Sequence, residues 1–129
     1  MFGITQKMTK THGFGDVLLL SVSLPAENKI KKRAIVVISN SSYNQRHEAL
    51  IAVPITKNSC VRDSYPDSFK ISRWQKSHIR KKNGSSKNFF VVPIVTIFPN
   101  YLSFRKIGDL TYSDKKKLKK TLAHMIGMD

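Results

Sequence analysis

The chain has 129 residues and a mass of 14.7 kDa, enough for one domain spanning 1–129 with a core of its own. A hydrophobic content of 40% excludes a wholly disordered chain, while 23 Lys and Arg against 8 Asp and Glu give a formal net charge of +15. Solubility needs only about 2–8 net charges in a small domain, so the surplus points to an anionic partner: RNA, DNA, an acidic protein or an anionic membrane.

Residues 1–14 carry no strong period and read as a loosely tied lead-in that includes His12. Gly15-Asp16 turns the chain into an apolar run, Val17–Leu24, read as a first, largely buried strand. Lys7 and Lys10 before the run and Pro25-Ala26 after it loosely imitate a signal peptide. The run is short, contains Ser21 and Ser23, and directly follows an Asp, so the strand reading is preferred and a cytoplasmic protein is expected. No apolar run approaches the roughly 18 residues of a transmembrane helix, and no membrane partner is expected.

Pro25 to Lys32 reads as a basic connection holding Lys29, Lys31 and Lys32. Arg33 leads into a second apolar run, Ile35–Ile38. A polar connection from Ser39 to Glu48 separates it from a third, Ala49–Val53, which ends in Pro54-Ile55-Thr56. Short Val- and Ile-rich runs separated by Asn and Ser read as paired strands. In an antiparallel pair Arg33 and Thr56 fall at the same end. That places a fixed cation beside a hydroxyl on a basic surface, as a phosphate site requires.

Residues 57–88 hold nine Lys and Arg against Asp63 and Asp67. The stretch reads as a long basic loop region in which Phe69–Ser72 alternates like a short edge strand and Lys76–Asn88, with Arg80-Lys81-Lys82, reads as a mobile basic loop. Cys60 is the single cysteine, so no internal disulfide forms, and no Cys or His spacing calls for a metal. No cofactor is expected. Trp74, between Arg73 and Lys76, either stacks on a base beside phosphate-binding cations or packs in the core or a dimer interface, the commoner place for a lone Trp.

Phe89–Phe98 is strongly apolar, and Pro93 within it predicts an edge, a bulge or a break into two strands. Leu102–Ile107 adds a further strand before Gly108. Ser113 then opens a helix to about Ile126, with Ser113 as N-cap, Gly127 as C-cap and an apolar stripe of Leu118, Leu122, Met125 and Ile126. The class is mainly β (α+β), a small barrel-like antiparallel sheet with one C-terminal helix.

Taken together, Gly15-Asp16, Arg33, Ser39, Tyr43-Asn44, Pro54 and Thr56, followed by Arg105-Lys106-Ile107-Gly108 and Leu110, resemble in order and spacing the MazF/PemK family of toxin endoribonucleases. The resemblance runs from Gly15 to Gly127. It implies an SH3-like, CcdB/PemK-type barrel, a homodimer, metal-independent cleavage of single-stranded RNA, and neutralisation by a small acidic antitoxin. It carries the family's catalytic arginine to Arg33 and its catalytic threonine to Thr56.

The chain departs from the pattern twice. The proline after the arginine is Ala34, and the strand that often carries an Asp-Gln pair is the apolar Val91–Val95. The RNA contacts are therefore expected from Lys31, Lys32, Lys57, Arg73, Trp74, Arg80, Lys81 and Lys82. Among the four histidines, His12 is the candidate acid or base, reaching the site through the lead-in. Two rival functions stay open: a catalytically impaired barrel that only binds nucleic acid, and a protein-directed toxin in the manner of gyrase poisons.

Overall fold

The computed structural model describes residues 12–24, 29–57, 59–71, 74–75, 89–99 and 102–128. Among these residues, eight strands and three helices follow one another as β1 (Asp16–Leu24), β2 (Lys29–Val37), α1 (Ser41–His47), β3 (Ala49–Thr56), α2 (Ser59–Ser64), β4 (Phe69–Lys70), β5 (Trp74–Gln75), β6 (Phe90–Val91), β7 (Thr96–Pro99), β8 (Phe104–Leu110) and α3 (Tyr112–Met125). The strands make one antiparallel sheet in the order β4-β6-β3-β2-β1-β8-β5, with β7 also pairing β3. The sheet is a curled half-barrel with a C-terminal helix, the architecture expected from the sequence.

Period-two alternation sorts the central strands onto two faces. Val17, Val36, Val53 and Ile55 point to one face and pack with Val91, Ile107, Leu110 and Leu118 of α3. Leu18, Ile35, Val37, Leu50 and Ala52 point to the other and pack with Phe98 and Phe104. Both faces are buried, which is why these runs read as continuously apolar rather than alternating.

Several boundaries differ from the sequence reading. The basic stretch Lys29–Lys32 is strand, not connection, because β2 pairs β1 through Leu24↔Lys29. Ala34, where the resembled pattern has a proline, pairs with Leu19, and the ladder runs on past Arg33. The polar connection 39–48 contains α1, capped by Asn40, whose side chain accepts from Tyr43 N at 2.8 Å. Pro93 does break its run into two strands, β6 and β7. Strand β8 runs through Gly108 to Leu110, and the pairing of β1 with β8 shifts register between Val17 and Leu18.

In α3 the N-cap is Thr111, not Ser113; its hydroxyl accepts from Asp114 N at 3.2 Å. Gly127 ends the helix as expected, with φ at +77°. Gly127 N donates to His124 O at 3.1 Å and Met128 N to Ala123 O at 2.7 Å, the paired bonds of a Schellman ending. Leu118 is buried and Leu122 packs on the core, but Met125 and Ile126 are exposed, so the apolar stripe ends one turn early.

Candidate active site

Arg33 lies in β2 opposite Leu20 of β1, with its side chain exposed. Thr56 ends β3 opposite Phe90 of β6 and is half-buried. Strands β2 and β3 pair with Ile35 opposite Pro54. Residues two further along each strand share the side-chain face of that pair, so Arg33 and Thr56 leave the sheet on one face and at one end. The two residues that the sequence singles out thus share one face and one strand end.

Exposed Lys32 and Lys57 adjoin this end in sequence but lie on the other side of the sheet: Lys32 shares the face of Ala34, and Lys57 Nζ is 5.6 Å from the centroid of the Phe89 ring, which packs on the Val17–Val36–Val53 cluster. Lys31 is placed in β2 and Trp74 in β5, opposite Leu110, as backbone positions. Arg73, Arg80, Lys81 and Lys82 lie outside the described residues.

One cation escaped the sequence reading. Arg62 of α2 sits with its guanidinium carbon 4.8 Å from the centroid of Phe90, the strand partner of Thr56. Arg62 stood in a stretch read as loop and Phe90 in a run read as buried strand, with no local pattern linking them. Only the pairing of β3 with β6 and the turn of α2 bring them together.

His12 is held elsewhere. Its carbonyl accepts from Asn44 Nδ2 at 2.7 Å and its Nδ1 is 3.8 Å from Asp16 Oδ2. Asp16 stands four positions before Leu20 on β1, roughly 13 Å along the strand at about 3.3 Å per residue. The structure therefore does not bring His12 to Arg33 and Thr56. It joins His12 to a charge cluster in which Lys106 Nζ lies 3.3 Å from Asp16 Oδ1 and 3.0 Å from Asp109 Oδ1.

Residues three apart on a strand ordinarily face opposite ways. The register shift beside Ile107 turns Lys106 and Asp109 to one side. Burial pulls the Lys106 ammonium down, but hydrogen bonds and charges of Asp109 and Asp16 reverse this and raise its pKa. Burial likewise pushes Asp109 up, and hydrogen bonds from Lys106 and with Asp16, helped by the Lys106 and Lys115 charges, bring it below its ordinary value.

The Ser39…Tyr43-Asn44 pattern proves to be scaffold. Buried Ser39 donates its hydroxyl to Asn44 Oδ1 and accepts from Ile51 N at 2.9 Å. Asn44, also buried, then reaches His12 O, so two side chains tie the lead-in, α1 and β3 together. Tyr43 packs on His47 with ring centroids 4.3 Å apart.

The segment Val91–Val95 carries no polar group to the site: Val91 and Val92 are buried in the core, and Val95 is exposed. Among the described residues no group of three or more His, Cys, Asp or Glu is arranged to hold a metal, and no helix is long and apolar enough to cross a membrane.

A family model described as PemK-like, MazF-like toxin of type II toxin–antitoxin system matches residues 14–126. No curated protein sequence matches significantly. Among solved structures, a MazE–MazF complex from Deinococcus radiodurans is 16% identical over 92% of this chain and 99% of that one, with a TM-score of 0.66. An endoribonuclease in complex with its cognate antitoxin from a mycobacterial species is 14% identical over 93% and 97%, with a TM-score of 0.67. The Mycobacterium tuberculosis toxin MazF-mt6 is 17% identical over 86% and 97%, with a TM-score of 0.57. At these identities the likeness establishes the fold.

Proposed function

The chain belongs to the family of PemK-like, MazF-like toxins of type II toxin–antitoxin systems, and from that premise we propose that it is a metal-independent endoribonuclease cutting single-stranded RNA. The observation that carries the reading is the common face and common strand end of Arg33 and Thr56. Attack of a ribose 2′-oxygen on the adjacent phosphate forms a 2′,3′-cyclic phosphate and breaks the P–O5′ bond; the 2′-hydroxyl proton passes to water, the leaving 5′-oxygen takes a proton from water, and negative charge builds on the phosphate oxygens in between. The planar, permanently charged donor fork of Arg33 stabilises that charge, and the Thr56 hydroxyl donates to a phosphate oxygen to hold the scissile bond in line.

The same reading makes a small acidic antitoxin and a second copy of the chain its protein partners. The net charge of +15 supports the first. Exposed Val95 and Ile97, beside and on β7, offer apolar surface for the second. A reducing cytoplasm suits the exposed Cys60, the single cysteine of the chain.

Long single-stranded RNA incubated with the protein in EDTA is expected to give discrete fragments with 5′-hydroxyl ends. Arg33→Ala, with an unchanged thermal unfolding curve, is expected to slow cutting by about 10²–10³-fold, the range for losing one charge-stabilising donor. Equal rates in wild type and Arg33→Ala refute the assignment. The apolar Val91–Val95 segment favours one second reading, a barrel that binds RNA without cutting it. Salt-sensitive binding with no fragments at any protein concentration selects that reading.

A further inference from the structure

Phe90 is the strand partner of Thr56, so ring and hydroxyl leave the same face of the sheet. The Arg62 guanidinium lies over that ring, and its Nε donates to Asp63 Oδ1 at 2.9 Å. An aromatic face attracts the guanidinium without using its N–H donors, which stay available to a ligand. Asp63 occupies Nε alone, and the Arg62 side chain stays 36% exposed. Asp63 is itself 70% exposed, so its carboxylate is solvated and holds Arg62 only weakly. The cation is oriented from one side by the ring and still open to a ligand on the other.

We infer that Arg62, held on Phe90, is a phosphate-binding subsite for the RNA strand, flanking the Arg33–Thr56 pair. It supplies from α2 the polar contact that the buried Val91 and Val92 do not. The choice of RNA as the ligand rests on the ribonuclease reading; the geometry of the subsite does not.

The test uses the full chain and a mixed-sequence 2′-O-methyl oligoribonucleotide, whose blocked 2′-oxygens cannot attack, with binding followed by fluorescence anisotropy across a salt series. Arg62→Ala is expected to weaken binding about tenfold, as for one hydrogen bond to a charged group. It is also expected to lower the slope of log Kd against log salt concentration by about 0.7, the share of one single-strand phosphate contact. Arg62→Lys keeps the charge but not the fork, so it should bind more weakly than wild type with a slope near the wild-type value. If Arg62→Ala unfolds, Arg62→Gln removes the charge with less loss of packing and is read by the same slope.

Unchanged affinity and slope in a folded uncharged variant overturn the subsite. Cutting by wild type together with that result sinks the subsite alone. A lost slope in a protein that never cuts RNA upholds the subsite and sinks the ribonuclease reading instead.

Discussion

Single residues decide whether the barrel can begin where it does. Gly15 has φ at +89°, and a Cβ there would run into the Lys115 side chain. Its N–H donates to Val37 O at 2.8 Å and its carbonyl accepts from Leu110 N at 3.0 Å, so one residue closes the ends of both β2 and β8 onto β1. Gly15→Ala forces an L-residue into the left-handed region, which costs about 1–2 kcal/mol before any adjustment of Lys115. A drop of that size in a urea unfolding series, with little change in slope, is the expected outcome; wild-type stability would mean that the turn relaxes. The Gly15-Asp16 pair was visible in the sequence as a turn. Its contact with the C-terminal helix was not, because 100 residues separate Gly15 from Lys115.

At the level of elements, caps and partners prove more informative than apolar periodicity. Helix α1 escaped the sequence reading because it has no apolar stripe: its buried residue is Asn44, held by Ser39. The stripe marks helix α3 in the sequence, but the pattern puts its start at Ser113, two residues late, since Ser113 and Thr111 are both good caps and only the Asp114 N–H shows which is used. Thr111→Ala is expected to destabilise the protein by about 1 kcal/mol, read as a lowered urea midpoint, while Ser113→Ala leaves the midpoint unchanged. The reverse order would restore Ser113 as the cap. Lysines 115, 116, 117, 119 and 120 oppose the helix dipole, so the cap and the buried first-turn Asp114 matter more here than in a helix with a neutral start.

For the molecule as a whole, the cluster of Asp16, Lys106 and Asp109 links β1 to β8 and sets a pH dependence. Asp109 is held below its ordinary 3.8 and Lys106 above its ordinary 10.5. An acid lowered by folding stabilises above its unfolded pKa, and that contribution is lost as pH falls through the folded value. A base raised by folding stabilises below its unfolded pKa and loses the contribution as pH climbs through the folded one. The cluster therefore contributes across the neutral range and fails at both extremes, starting below about pH 4 on the acid side. Asp109→Asn is expected to lower Tm at neutral pH and to flatten its fall below about pH 4. An acid limb parallel to the wild type would assign that fall to other carboxylates.

The sequence by itself determined the mainly β class, the family, the strong cationic charge and the two residues on which the proposed chemistry rests. Each depends on residue type and local spacing: short Val and Ile runs, an Arg and a Thr bracketing two of them, and a capped amphipathic helix. Tertiary structure decided what depends on contacts distant in the chain. Pairing of β3 with β6 put Phe90 beside Thr56 and brought Arg62 to the site. A register shift between β1 and β8 turned Lys106 and Asp109 to one side, beside Asp16, and His12 is held at Asp16 rather than near Arg33. Local pattern carries no record of such pairings, because a strand's apolar face can be buried equally well against many partners, and only the assembled sheet selects one.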